Sequence, residues 1–409
     1  MTEQAIVPAI RFAGFTDPLE QRKLGDYVVV STAKNADGRF NKEDVLSVSG
    51  EYGIVNQIAF QGRSFAGSSV LNYGIVNTGD IVYTKSPLNS NPYGIIKVNK
   101  GIPGIVSTLY AVYRPQDNVH TNFIQVYFEQ HERMNNYMHP LVNKGAKNDM
   151  KVTAENALKG VVTFPSREEQ VIISEFFDRL DSLITLHQRK YDKLVIFKKS
   201  MLEKMFPKDG ESVPEIRFAG FTDPWEQRKL SELLLERDEQ APQSDQYPLM
   251  AFIANQGIAP KGDRYDRSAL VNDIEGKLYK RTEKGDFIYS SNNLETGSIG
   301  LNKYGNACIS PVYSIFQPSG IADSDFLGRR LVRKDFIQEM VKWRQGVIYG
   351  QWRIHEADFL RLNIAVPSVD EQRLIGKLLD NLDSLITLHQ RKLELLQNIK
   401  KSLLDKMFV

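Results

Sequence analysis

VPAIRFAGFTDPLEQRKL, residues 7–24, returns as VPEIRFAGFTDPWEQRKL at residues 213–230. Sixteen of the 18 positions are identical, and the exceptions are Ala9/Glu215 and Leu19/Trp225. LDSLITLHQRK, 180–190, returns unchanged at 382–392, and KKSMLEKMF, 198–206, returns as KKSLLDKMF at 400–408. The offsets are 206 residues for the first block and 202 for the others, about half of the 409-residue chain. A period that long describes one duplicated unit rather than a solenoid of short repeats.

Between the matching blocks lie two segments, about 25–163 and 231–365, that barely match. They share a faint pattern: Gly-Asp-Ile-Val-Tyr at 79–83 against Gly-Asp-Phe-Ile-Tyr at 285–289, and YAVYRP at 110–115 against YSIFQP at 313–318. Drift after duplication does not explain helical blocks that stayed nearly identical while whole domains diverged. A constant frame around two interchangeable readers explains both.

Pro165-Ser166 and Pro367-Ser368 each open a long helix, and Ser166 with Glu169, and Ser368 with Glu371, have the spacing of a capping box. No Pro or Gly interrupts 167–206, and the second helix contains only Gly376, near its start. Such a helix is about 60 Å long, and length of that order predicts a coiled coil. The apolar positions run Ile173, Phe176, Leu180, Leu183, His187, Tyr191, Leu194, Phe197, Met201 and Met205 in the first helix. In the second they run Leu378, Leu382, Leu385, His389, Leu393, Leu396, Ile399, Leu403 and Met407. Steps of three and four alternate as a heptad seam requires, with consecutive four-steps, a local stutter, around His187 and His389. Connectivity makes the two helices antiparallel, because each leaves one reader and must return the chain towards the other.

Short alternating runs separated by Gly, Asn and Pro predict strands at 79–83, 94–98 and 104–113, with a helix at 122–137. The second segment matches, with strands at 286–289 and 312–317 and a helix at 325–344. The fold class is α+β: two mixed α/β readers in tandem, joined by two long antiparallel coiled-coil helices with pseudo-twofold symmetry. The expected divisions are 1–164, 165–207, 208–366 and 367–409.

Lys85, Ser86, Asn89 and Asn91 follow the central strand of the first reader, and Ser291, Asn292 and Asn293 follow that of the second. Before the capping boxes, Lys144, Lys147 and Lys151 correspond in position to Arg344, Tyr349, Gln351 and Arg353. Asn, Gln, Arg and Lys read base edges, and aromatics pack against DNA, so these two loop groups are the candidate DNA contacts. Charge gives less support: 28–159 holds 13 basic and 10 acidic residues, and 231–362 holds 17 and 18. The chain's net charge is only +2, low for a protein that binds nucleic acid unaided.

Catalytic motifs nearly appear. The stretch GRSFAGSS at 62–69 has Walker A spacing without its lysine. Asn91-Pro92-Tyr93 lacks the second proline of an amino-methyltransferase motif, and His131-Glu132-Arg133-Met134-Asn135 lacks the second histidine of HExxH. None recurs in the other half, so no catalytic or metal site is expected. The only cysteine, Cys308, fits a reducing cytoplasm, and no apolar run reaches membrane-spanning length.

The order P-x-IRF-x-GF-x-DP-W-EQ-x-KL, a divergent domain, then P-S-x-x-EQ and a long helix, all of it twice, resembles the specificity subunit of type I restriction-modification systems over essentially the whole chain, with Leu19 departing from the motif where the second copy has Trp225. The resemblance implies that the divergent segments are target recognition domains, each reading half of a bipartite site on double-stranded DNA. It implies that the repeated helices bind two methyltransferase subunits, with restriction subunits further out. Leu183, His187, Tyr191, Leu385, His389 and Leu393 are the candidate partner-binding residues. S-adenosylmethionine, ATP and magnesium would belong to the other subunits and none to this chain. A stand-alone methyltransferase is disfavoured by the missing cofactor loop, and a scaffold without a DNA role by the divergence of the readers.

Overall fold

The protein, seen in a computed structural model, is described over residues 7–85, 87, 91–142, 152–208, 210–260, 277–292, 294–348 and 351–408. It divides into two compact units, Met1–Arg189 with Gln390–Val409, and Lys190–His389. Each unit therefore contains one reader and a portion of both long helices, Arg167–Lys204 and Val369–Lys406, each of 38 residues.

The repeated block ahead of each reader forms a strand that pairs with the strand leading into the long helix. Glu20–Lys23 runs antiparallel to Val161–Phe164 in the first unit. Glu226–Lys229 does the same with Asn363–Val366 in the second. The first reader is built on an antiparallel sheet in the spatial order Val28–Val30, Ala111–Pro115, Ile81–Tyr83, Ile96–Val98. The second repeats that order with Leu234–Glu236, Ser314–Pro318, Phe287–Tyr289, Ile299–Leu301. The faint matches thus mark the two central strands of each sheet.

Ile81–Tyr83 and Phe287–Tyr289 are apolar and buried at every position because both faces of each sheet are covered there. Ile81 and Tyr83 join a cluster with Phe123, Tyr127 and Phe164, while Val82 faces Leu46, Val76 and Val106 on the other side. In the second unit Phe287 and Tyr289 pack with Phe326 and Phe359, and Ile288 with Met250, Ala307 and Ile309. The Gly-Asp preceding each strand is a turn requirement. Gly79 and Gly285 adopt φ of 89° and 97°, which a side chain disfavours. The buried carboxylates of Asp80 and Asp286 then accept the Asn77 and Glu283 N–H groups at 2.8 Å. Burial raises both acids above the usual carboxylate range, against the pull of those hydrogen bonds.

Two expected helices are divided. The helix predicted over 122–137 is two, Thr121–Tyr127 and His131–Met138, and that over 325–344 is likewise two, Ser324–Arg330 and Lys334–Val341. The break lets an arginine reach the end of a long helix. Arg133 donates to the carbonyls of Tyr127 at 2.9 Å and Leu404 at 2.8 Å, and Arg333 donates to that of Leu202 at 2.6 Å. Each therefore meets the partial negative charge of a helix C-terminus. The run predicted over 104–113 is also two strands, Gly104–Val106 and Ala111–Pro115, with a turn between.

The seam is more regular than its sequence reading. Its positions in the first helix are Ile173, Phe177, Leu180, Ile184, His187, Tyr191, Leu194, Lys198, Met201 and Met205, all buried or half-buried. In the second they are Ile375, Leu379, Leu382, Ile386, His389, Leu393, Leu396, Lys400, Leu403 and Met407. The steps alternate four and three throughout, so there is no stutter. Leu183, Phe197 and Leu385 are instead 46%, 47% and 43% exposed. DSLITL offers apolar residues at 183, 184 and 186, and an unbroken heptad takes Ile184. The lysines that complete the heptad are neutralised. Lys400 meets Asp181 at 2.5 Å and Glu129 at 2.8 Å, and Lys198 pairs with Asp383. In the first unit Phe177 meets Phe408 while Asp181 meets Lys400, so the two helix portions there run antiparallel.

The capping-box reading is corrected in part. Ser166 and Ser368 accept the Glu169 and Glu371 N–H groups at 3.4 Å. The glutamate carboxylates, however, are taken by the repeated IRF motif. Arg11 grips Glu169 at 2.8 and 2.6 Å, and Arg217 grips Glu371 at 2.7 Å through each of two nitrogens. The next residue ties the frame to the reader. Gln170 accepts the N–H of His120 at 2.9 Å, and Gln372 that of Asp323 at 3.0 Å. Gly376 is a close-approach position, since a Cβ there would lie 2.7 Å from the Asp323 carboxylate.

The chain termini share this geometry. The Ile10 N–H donates to the Lys406 carbonyl at 3.0 Å, as the Ile216 N–H does to the Lys204 carbonyl at 2.9 Å. Residues 207–212 bridge the second junction within the chain. Val409 joined to Met1–Ile6 would span the first with one residue more. A permutant joined at Val409–Met1 and opened at Lys208 is therefore expected to fold with an unchanged circular dichroism spectrum and to assemble as the parent does. A soluble permutant that cannot assemble would contradict the equivalence of the two junctions.

Candidate nucleic-acid interface

In the first reader, Lys85 follows the central strand in a left-handed conformation, φ 47°, uncommon for a residue with a side chain. Its ammonium donates to the Thr108 carbonyl at 3.0 Å, and burial and Lys34 together lower its pKa. Asn91, expected at the DNA, is buried at 6% exposure. Its Oδ1 lies 2.6 Å from His131 Nδ1, while the Tyr93 hydroxyl lies 2.7 Å from His139 Nδ1. Two of the three incomplete catalytic motifs of this reader, Asn91-Pro92-Tyr93 and that of His131, thus meet each other. Ser86, Asn89, Lys144, Lys147 and Lys151 lie outside the described residues.

In the second reader the candidates converge. Strand Phe287–Tyr289 runs into Ser291 and Asn292, and a hairpin of Gln345–Ile348 with Gln351–Arg353 stands beside them. Asn292 Oδ1 accepts the Trp352 N–H at 2.7 Å, and Ser291 Oγ accepts the Ile354 N–H at 3.0 Å. Arg344, at the hairpin's base, donates to the Ser291 carbonyl at 3.2 Å and to Glu295 at 3.0 Å. Arg353 is 64% exposed and Glu356 is 3.7 Å away. Trp352, which lies in that hairpin but was not singled out in the sequence, is 45% exposed. Its signal was an aromatic between two polar residues just past a Gly. Asn293, Tyr349 and the side chain of Gln351 lie outside the described residues.

On the long helices, Leu183 and Leu385 are exposed, His187, Tyr191 and His389 are half-buried in the seam, and Leu393 is buried there at 6%, out of a partner's reach. Leu186 and Leu388, which sequence periodicity did not single out, are exposed at 46% and 57%. Leu183 and Leu186 border a surface depression with Asp178, Arg179 and Ser182. Among the described residues no cluster of His, Cys, Asp and Glu could hold a metal ion, and no helix is long and apolar enough to cross a membrane.

Known proteins share this arrangement. The type I restriction enzyme MjaX specificity subunit of Methanocaldococcus jannaschii is 22% identical over 343 residues, covering 80% of this chain and 77% of the relative. The crystal structure of the type I restriction-modification system S subunit from M. genitalium superposes with a TM-score of 0.53 at 14% identity, covering 99% of each chain. The sequence model of the type I restriction modification DNA specificity domain matches twice, over residues 17–195 and 223–398. Two tandem matches spanning both readers and most of both helices leave one conclusion: the chain belongs to the type I restriction-modification specificity family and is a DNA-recognition subunit of such a system.

Proposed function

We propose that each unit reads one half of a two-part target on double-stranded DNA, and that the exposed faces of the long helices dock two copies of one methyltransferase subunit. The docking is carried by the block LDSLITLHQRK. Core packing accounts for its buried positions, Leu180 and Leu382. Leu183 and Leu186, with Leu385 and Leu388, are identical between the copies and yet exposed. Apolar surface of that kind marks an interaction site, and the same surface presented twice suits the same partner bound twice.

The chain then supplies recognition without catalysis. S-adenosylmethionine serves the methyltransferase subunits, and ATP and magnesium serve restriction subunits that join further out, all in the cytoplasm. The near-neutral charge fits this division, because phosphate contacts supply most non-specific affinity and subunits that clamp the duplex relieve the reader of making them. Native mass spectrometry of the chain with its methyltransferase subunit is expected to show two bound. Leu186→Asp or Leu388→Asp should each leave one, because a buried unpaired carboxylate is costly. Two bound subunits in both variants would count against docking through these leucines. The pure chain should transfer no methyl group from S-adenosylmethionine to DNA, and transfer by it would refute the non-catalytic role.

A further inference from the structure

The polar residues that cluster around the second reader's hairpin are already engaged. Tyr289 donates its hydroxyl to the Ile354 carbonyl at 3.3 Å, Ser291 and Asn292 hold the N–H groups of Ile354 and Trp352, and Arg344 bonds Ser291 and Glu295. Arg344 is only 11% exposed. These groups tether the second hairpin strand to the end of the central strand and leave little of themselves for a ligand. Trp352 and Arg353, on the tethered strand, are 45% and 64% exposed. The Arg353–Glu356 approach of 3.7 Å between partly solvated groups is worth little.

Charge identifies what the hairpin meets. Residues 340–355 contain Lys342, Arg344 and Arg353, but Lys342 pairs with Glu339 and Arg344 with Glu295, so Arg353, 3.7 Å from Glu356, is the cation that the hairpin presents. A largely exposed Arg beside an exposed Trp on one strand suits the phosphates and apolar base edges of DNA.

We infer that Trp352 and Arg353 are specificity-determining contacts of the second reader, entering a DNA groove on the hairpin, and that Ser291, Asn292 and Arg344 are positioning residues that hold it there. This rests on the reading of one half-site by each unit. Fixing the strand before DNA arrives reduces the ordering cost of binding, and Trp and Arg on a fixed support are the residue types that dominate interface energetics.

The test uses the assembled methyltransferase complex and DNA libraries randomised at each half-site, with methylation rates read by sequencing. Trp352→Ala and Arg353→Ala remove exposed side chains and should leave assembly unchanged. Each is expected to reduce discrimination roughly tenfold at one or two adjacent positions of the second half-site, the scale of one good base contact, with the first half-site intact. Arg344→Ala and Asn292→Ala, which cut different tethers, should relax those same positions, and either combined with Trp352→Ala should add nothing, the non-additivity of coupled residues. Arg344→Lys, which keeps a charge and one donor, should recover part of the discrimination. Unaltered discrimination in both Trp352→Ala and Arg353→Ala would overturn the contact assignment. Relaxation by Arg344→Ala at a position of its own, with Glu295→Ala harmless, would make Arg344 a base reader and overturn the positioning role. If the parent complex methylated without any two-part target, the reading by half-sites would fall instead, and that outcome is visible before any variant is made.

Discussion

Replacing residues 25–163 with the corresponding segment of another such subunit is expected to change one half of the methylated target completely and leave the other half as it was. The described joints between reader and frame make this feasible. Gln170 accepts a backbone N–H from position 120, and Gln372 one from position 323, bonds available whatever side chain the reader carries, proline excepted. Side-chain contacts add to these, among them Asp178 with Lys100 and Asn122, and Lys400 with Glu129, and some are shared in kind between the units. Phe123 meets Phe408 as Phe326 meets Phe206, at 5.7 and 5.6 Å between ring centroids, and Arg133 and Arg333 each bond a carbonyl near the end of a long helix. A graft that keeps these partners, an aromatic at 123, an acid at 129 and an arginine at 133 among them, should seat normally. Because each mismatched base pair costs about 1–3 kcal/mol and such costs add roughly, methylation at sites with the original half should fall by on the order of 10³-fold or more. Methylome sequencing of cells carrying the chimaera reads both halves at once. Alteration of the untouched half would show that the readers are not independent.

Removing one partner of the Arg217–Glu371 pair should unfold the second unit under mild conditions. Glu371 has a fully buried side chain and Arg217 is 12% exposed, and two hydrogen bonds of 2.7 Å join them. Deleting either charge strands the other, a loss of about 3–5 kcal/mol, whereas replacing both by apolar residues of similar volume is often close to neutral. Glu371→Ala and Arg217→Ala should therefore each lower the urea midpoint sharply, while Arg217→Met with Glu371→Leu should recover most of it. The fluorescence of Trp225, 3% exposed in the same unit, is a suitable probe. Single substitutions costing under about 1 kcal/mol, the scale of an exposed ion pair, would mean that the pair does not hold the unit together. Arg11 with Glu169 gives the matching experiment in the first unit.

Much of this was legible in the sequence. The internal repeat announces two copies of one topology, and the central strands are visible as Gly-Asp followed by an apolar triplet. The long helices were expected within 165–207 and 367–409, and they run Arg167–Lys204 and Val369–Lys406. The interface was less legible. Ser291, Asn292 and Arg344 read as DNA contacts because their chemistry suits base edges, but the same groups are equally able to hold a hairpin by its backbone. Asn91 was expected outside and is buried against His131.

By itself the sequence determined the duplication, the division into constant frame and divergent reader, and the helix lengths, because repeats, breakers and periodicity are read along the chain without knowing what folding brings together. Tertiary structure alone decided which leucines are seam and which are surface. A helix with apolar residues at 183, 184 and 186 satisfies the heptad rule in more than one phase, and the phase is selected by the partner helix that covers it. It alone decided the role of Glu169, whose carboxylate meets a guanidinium 158 positions away in the chain rather than its own helix cap. Local pattern specifies what a residue can bind. Which of its potential partners it meets depends on what folding brings within 3 Å, since hydrogen bonds and ion pairs decay over distances far shorter than the chain separations that folding closes.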